Sequence, residues 1–246
     1  MRSPYALADL MCRAAWPARH LLASLVVSIG LLTPALAQKP PNVTPGEMAL
    51  LPNYCPDTQG FDYGDAYWNT SPRAAYWVSL MGGKSFWALH HHCWALVKIR
   101  RAEAIGVPPE IRKGTLQNAL SDFDYVLQHS TPDFVLRPEV LLRRAEVLLR
   151  LGDVGAAMLS YEAAVQFKPD YWPAYVGWAE YLLKQNRRKD ALAFLERGLV
   201  QSPNEPKLSA AYRKAGGDPE AFVRKLPPRK PQPEIGRASC RERVCT

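Results

Sequence analysis

The chain has 246 residues, a formal net charge of +8, and 48% hydrophobic against 22% charged residues. That composition excludes wholesale disorder and leaves ample apolar material for a core. The charge excess does not by itself mark a nucleic-acid surface, and 22 Pro against 15 Gly point to extended linkers.

The first element in the chain is a targeting pattern. Arg2, Arg13 and Arg19 form a basic start, Leu21 to Leu32 an apolar run, and Ala35-Leu36-Ala37 a small-residue peptidase site. The run is shorter than the roughly 20 residues that cross a bilayer. Residues 1–37 therefore read as a cleaved signal peptide, with no membrane span after cleavage. No Cys stands at the cleavage point for lipid attachment, and no twin Arg precedes the apolar run. The expected location is periplasmic or secreted, in a bacterium.

At the other end, Glu234 to Val244 resembles the translation of a short-read sequencing adapter, and residues 234–246 are set aside from the fold. On that reading the native C-terminus lies outside this sequence. Without the three Arg and one Asp of 1–37, and the three Arg and two Glu of 234–246, the net charge is +5. Of the 5 cysteines, only Cys55 and Cys93 stay in the mature region.

Residues 38–71 read as an irregular, Pro- and aromatic-rich segment. Pro40, Pro41, Pro45, Pro52 and Pro56 deny it a continuous helix, and Phe61, Tyr63, Tyr67 and Trp68 suggest an aromatic-anchored loop. Residues 72–137 read as a degenerate helical hairpin region. Ser71-Pro72 resembles an N-cap followed by Pro at the first helical position, and Gly82-Gly83 stops that helix. Ser85 is expected to cap one long helix reaching about Ala104, with Lys98, Arg100 and Arg101 suited to its C-terminal dipole. Gly106-Val107-Pro108-Pro109 ends it, and a further helix spans about Glu110 to His129.

An internal repeat follows. Ala145, Ala157, Ala164 and Pro169 recur 34 residues later as Ala179, Ala191, Gly198 and Pro203. Leu141 and Leu148 pair with Tyr175 and Leu182 in the same register. Each unit reads as two helices: Pro138–Leu151 with Val154–Phe167, then Tyr171–Gln185 with Arg188–Gln201. Gly152-Asp153 and Asn186 mark the turns. Residues 206–226 read as short capping helices, and 227–246 as a Pro/basic tail that runs into the set-aside residues.

In these residues the chain resembles the tetratricopeptide repeat family, whose unit is a 34-residue helix-turn-helix. Tyr161 occupies the family's aromatic position and Pro169 its terminal proline. Arg144 departs from the usual large apolar residue, and Leu195 from an aromatic. The resemblance covers two units over 138–205 and implies an all-α, helix-turn-helix solenoid. It further implies a concave groove for a protein or peptide partner. The positions facing that groove would be Glu139, Leu142, Arg143, Glu146, Arg150, Val176, Glu180 and Lys184. Leu142 and Glu146 stand where some members carry the Lys and Asn that grip a terminal carboxylate, so that mode is not expected. The mixed signs suggest a polar protein surface rather than nucleic acid.

Cys55, His90, His91, His92 and Cys93 are the one constellation with possible chemistry. A Cys55–Cys93 disulfide suits an oxidising compartment. A metal or redox role would use Cys55, His90 and Cys93, because His90 and Cys93 share a helix face while three consecutive His cannot converge on one ion. A catalytic Cys93 is disfavoured by its apolar face, which keeps a thiol inert. His90 and His91 also read as partly buried filler beside Trp87 and Trp94. Gly82-Gly83-Lys84-Ser85 lacks the earlier Gly of a phosphate loop and reads as a turn. The expectation is therefore a non-enzymatic, exported adaptor with no cofactor; the alternative is a periplasmic redox or metal/haem protein.

Overall fold

The computed structural model describes residues 39–59, 61 and 71–227. The signal-peptide reading, the tail from 228 and the loop aromatics Tyr63, Tyr67 and Trp68 lie outside the described residues. Those described are helical, with no strand among them.

Proline sets the helix starts. Pro stands at the first or second helical position of α1 (Pro45–Met48), α2 (Pro72–Met81), α5 (Pro109–His129), α6 (Arg137–Leu151), α8 (Trp172–Lys184), α10 (Pro206–Lys214) and α11 (Pro219–Arg224). There its fixed φ is already helical and its missing N–H costs no bond. Part of the proline excess expected in linkers thus sits at helix entries. The remaining helices are α3 (Gly83–Ala88), α4 (His90–Ala102), α7 (Val154–Phe167) and α9 (Arg188–Gln201), with a 3-10 turn at Cys55–Asp57.

The stops repeat as well. Gly152, Asn186 and Gly216 take positive φ of 84°, 59° and 85°. After each, the next N–H reaches back: Asp153 to Leu148, Arg187 to Leu182 and Gly217 to Tyr212, each at 2.9 Å. This left-handed cap satisfies carbonyls that the helix end would otherwise orphan. At the first turn Asp153 then caps α7 through Ala156 N–H at 3.0 Å.

Helices pack as hairpins, α4 on α5, α6 on α7 and α8 on α9, while α6, α8 and α10 lie side by side. Helix α6 divides its apolar residues between two cores. Leu141, Leu142, Ala145 and Leu148 join α7 to α10, whereas Val140 and Val147 face α4, α5 and the N-terminal segment. Burying a side chain such as Phe123 in the second core stabilises by about 1.5–3 kcal/mol. Where the family usually has an apolar residue, Arg144 donates to Asp124 on α5 and Ser160 on α7, both at 2.7 Å. It ties the degenerate hairpin to the first full unit.

Two local expectations need correction. The single helix over 85–104 is two, α3 and α4, meeting at Leu89, whose N–H bonds Phe86 in a tighter turn. Ser85 is no cap: its buried hydroxyl lies 3.0 Å from the Thr131 hydroxyl and accepts from Thr131 N–H. Within the Pro-rich segment, which has no continuous helix among its described residues, Thr44 and Glu47 form a reciprocal capping box around the single turn α1.

Candidate partner-binding channel

Two helices present the same hexapeptide pattern. Ala145-Glu146-Val147-Leu148-Leu149-Arg150 of α6 aligns with Ala179-Glu180-Tyr181-Leu182-Leu183-Lys184 of α8. The alanines and first leucines, three apart, are buried. Helical spacing then turns the Glu and the cation, four apart, onto one adjoining face.

Glu146, Arg150, Glu180 and Lys184 line a cleft of about 400 Å³ together with Tyr161, Gly177 and Tyr181. A second cleft, of about 620 Å³, has Glu139, Arg143, Glu146 and Arg150 on its α6 wall. Its other wall is α4 and the residue after it, through Leu96, Ile99, Arg100 and Glu103, with Leu50 to Pro52 at its edge. Glu146 and Arg150 line both clefts, which are neighbours along α6 and together make a two-part channel.

Charges inside the channel are partly paired. Arg143 meets Glu146 at 3.1 Å and Arg150 meets Glu103 at 2.7 Å. Glu180 has only a 3.9 Å contact to Lys214, and Lys184 makes no ion pair with a described residue. Leu142 was expected in the groove; it is 6% exposed and belongs to the repeat core. Its Cδ1 packs near Gly177, where a Cβ would lie 3.5 Å away, an ordinary contact. Val176 is half-buried at the rim of the same core.

The chain's own N-terminal segment forms part of this channel. Leu51 and Tyr54 are buried, Cys55 is bonded to Cys93, and Arg100 donates to the Leu50 carbonyl at 2.7 Å. Buried polar groups lie next to Glu139, behind the lining of the cleft. His92 is fully enclosed, neither ring nitrogen has a hydrogen-bond partner, and burial, aided by Arg143, lowers its pKa to about 3. Its Nε2 is 4.0 Å from Glu139 Oε1, and burial raises the Glu139 carboxyl above its ordinary value. Burial likewise raises the Tyr54 phenol, whose hydroxyl has no partner.

The histidine run separates into three settings. His90 Nδ1 donates to the Trp87 carbonyl at 2.6 Å, and its ring meets Trp94 edge-on. His91 bonds Asp122 at 2.7 Å, and Asp122 also takes Lys98. In the structure Cys55 and Cys93 give their sulfurs to each other, so the alternative ligand set Cys55, His90 and Cys93 loses both thiolates. Among the described residues no group of three or more His, Cys, Asp or Glu could hold a metal ion.

Sequence reasoning missed Tyr54, the channel-edge stretch 50–52, Gly177 and the place of Tyr161. Only Gly177 carried a signal, as a glycine inside a helical pattern, where it costs about 1 kcal/mol relative to Ala without a packing reason.

Residues 148–215 match the family model described as tetratricopeptide repeat. That span runs from the end of α6 through α10. No curated protein and no solved structure matches the chain.

Proposed function

We propose that this tetratricopeptide-repeat chain is an exported adaptor that holds a protein or peptide partner in the channel along α4, α6 and α8. The repeat is a non-enzymatic interaction module, which supports protein binding in general terms. The observation that carries the assignment to this channel is the doubled Glu–cation pattern, Glu146/Arg150 and Glu180/Lys184, converging on one cleft. Mixed charge favours a polar protein surface over a polyanion.

Export to the periplasm or beyond is supported by the signal-like residues 1–37 and by the Cys55–Cys93 pair, which an oxidising compartment would keep bonded. No helix among the described residues is long and apolar enough to cross a membrane. N-terminal sequencing of the protein from its host tests export, with Gln38 as the expected first residue.

The channel is tested by crosslinked pull-down from the host envelope with the wild-type chain and an Arg150→Glu/Lys184→Glu variant. The expected result is loss of most partner recovery with the thermal midpoint retained. Equal recovery by the variant removes the channel assignment.

A further inference from the structure

Tyr161 is 1% exposed, yet it reaches the floor of the cleft between α6 and α8. It does so beneath Gly177. A Cβ at Gly177 would stand 3.1 Å from Tyr161 Cε1 and 3.2 Å from its Oη, closer than such contacts comfortably run. The missing side chain is what leaves the phenol end uncovered. The Tyr161 hydroxyl makes no hydrogen bond to another described residue, although its ring is fixed against Trp178 at 5.6 Å. A fixed, nearly buried donor at the bottom of an open cleft is matched by an acceptor brought from outside.

The rims state what else the occupant carries. Glu146 and Glu180 form one row and Arg150 and Lys184 a second, both running from α6 to α8 across the cleft. The α8 pair, Glu180 and Lys184, is the open one: Lys184 makes no ion pair with a described residue and Glu180 is held only at 3.9 Å. An extended chain points successive side chains to opposite sides. Laid between the rows, it would meet the glutamates with one residue and the cations with the next.

We infer that the Tyr161–Gly177 notch seats the backbone of an extended partner peptide, one of whose carbonyl oxygens accepts the Tyr161 hydroxyl, with adjacent basic and acidic side chains directed to the two charged rows. This rests on the channel reading proposed above and adds the recognition chemistry to it. Gly177 admits the backbone, Tyr161 supplies the hydrogen bond, and Glu180 and Lys184 select the flanking charges.

The probe is a phage-displayed random dodecamer library panned on the full chain, with enriched peptides synthesised and measured by fluorescence polarisation. Enriched peptides are expected to carry a basic residue beside an acidic one. Tyr161→Phe keeps the ring and should weaken them roughly 3- to 10-fold, the range of one neutral hydrogen bond. Gly177→Ala should weaken them at least as much, and Leu159→Ala, at an exposed α7 position, should not. Circular dichroism confirms that each variant is folded. If the peptides respond to Lys184→Glu but bind Tyr161→Phe as well as wild type, the notch is wrong and the channel stands. If nothing is enriched, or binding ignores both variants, both readings fall.

Discussion

Arg101 and Glu47, separated by 54 positions in sequence, form a two-pronged ion pair: Nε to Oε1 at 2.5 Å and a terminal guanidinium nitrogen to Oε2 at 2.9 Å. The same guanidinium donates to the Pro41 and Asn42 carbonyls at 2.8 and 3.1 Å. Glu47 meanwhile accepts from Thr44 N–H at 2.9 Å, closing the cap of α1. One cation on α4 therefore organises the start of the Pro-rich segment.

This predicts acid release of that segment. The Arg101 bond, then the Thr44 bond, lower the Glu47 carboxyl from 4.5 to about 2. A depressed carboxylate stabilises fully above its unfolded pKa, and the contribution is lost as pH falls through the folded one. Hydrogen exchange in residues 39–50 should thus rise between about pH 4.5 and 2. Arg101→Gln should produce the same rise at pH 7. The pair is partly exposed, so the local cost is set at about 1 kcal/mol, and the repeats should keep their unfolding midpoint. Unchanged exchange in the variant would mean that Arg101 does not hold the segment.

His92 predicts a second acid effect, in a different window. It is buried neutral with a folded pKa of about 3 against 6.5 in the open chain. Between those values the unfolded state binds the proton and the folded state does not, so stability falls as pH drops from about 6.5 toward 3. His92→Phe removes two unpartnered nitrogens while keeping a ring beside Phe123, 5.6 Å away in the wild type. Urea unfolding of the variant should show stability at pH 7 unchanged or raised by about 1–2 kcal/mol and a flatter decline to pH 4. A decline as steep as the wild type's would assign the acid sensitivity elsewhere.

Two helical glycines separate crowding from propensity. A Cβ on Gly198 would lie 2.9 Å from both Tyr175 Cγ and Leu208 Cδ2, whereas one on Gly155 meets only Asp153 Oδ1 at 3.8 Å. Gly198→Ala should therefore cost about 1–3 kcal/mol by overpacking. Gly155→Ala should stabilise by about 0.5–1 kcal/mol through the lower entropy of the unfolded chain. Denaturant midpoints measure both, and a shift of the same sign in the two variants would contradict the packing account.

What the sequence disclosed was local and periodic. Asp153 at an N-cap, Asn186 at a left-handed turn and small residues 34 apart place α7 and α9 at Val154–Phe167 and Arg188–Gln201, the bounds read from the sequence. The Thr44-Pro45-Gly46-Glu47 box is equally local, but it makes only one turn inside a segment whose prolines exclude a continuous helix. Leu89 carries no Gly or Pro to announce the break between α3 and α4. Leu142 packs into the core shared with Tyr161 and Trp178 on other helices instead of the groove, and segment 39–59 lies along α4 through Arg100, Arg101 and Cys93. Such relationships depend on which helices meet, and no pattern within one helix encodes them.

The Cys55–Cys93 link and the Arg101 clamp hold the same segment at two points, so their contributions should not add. Closing a loop of sequence separation 38 stabilises by about 4 kcal/mol on the chain-entropy model. Both sulfurs are fully buried, so their replacement as Cys55→Ala/Cys93→Ala also tests packing, through small cavities. A double-mutant cycle with Arg101→Gln isolates the coupling. With the link intact, losing Arg101 frees only the stretch around residues 39–50. With the link gone, the clamp must order the segment alone, and its loss should release residues 39–59 together. Hydrogen exchange should therefore show residues 51–59 protected in either variant and exposed only when both changes are combined. Independent, additive effects on that stretch would show that Leu51 and Tyr54, through burial alone, keep it in the channel.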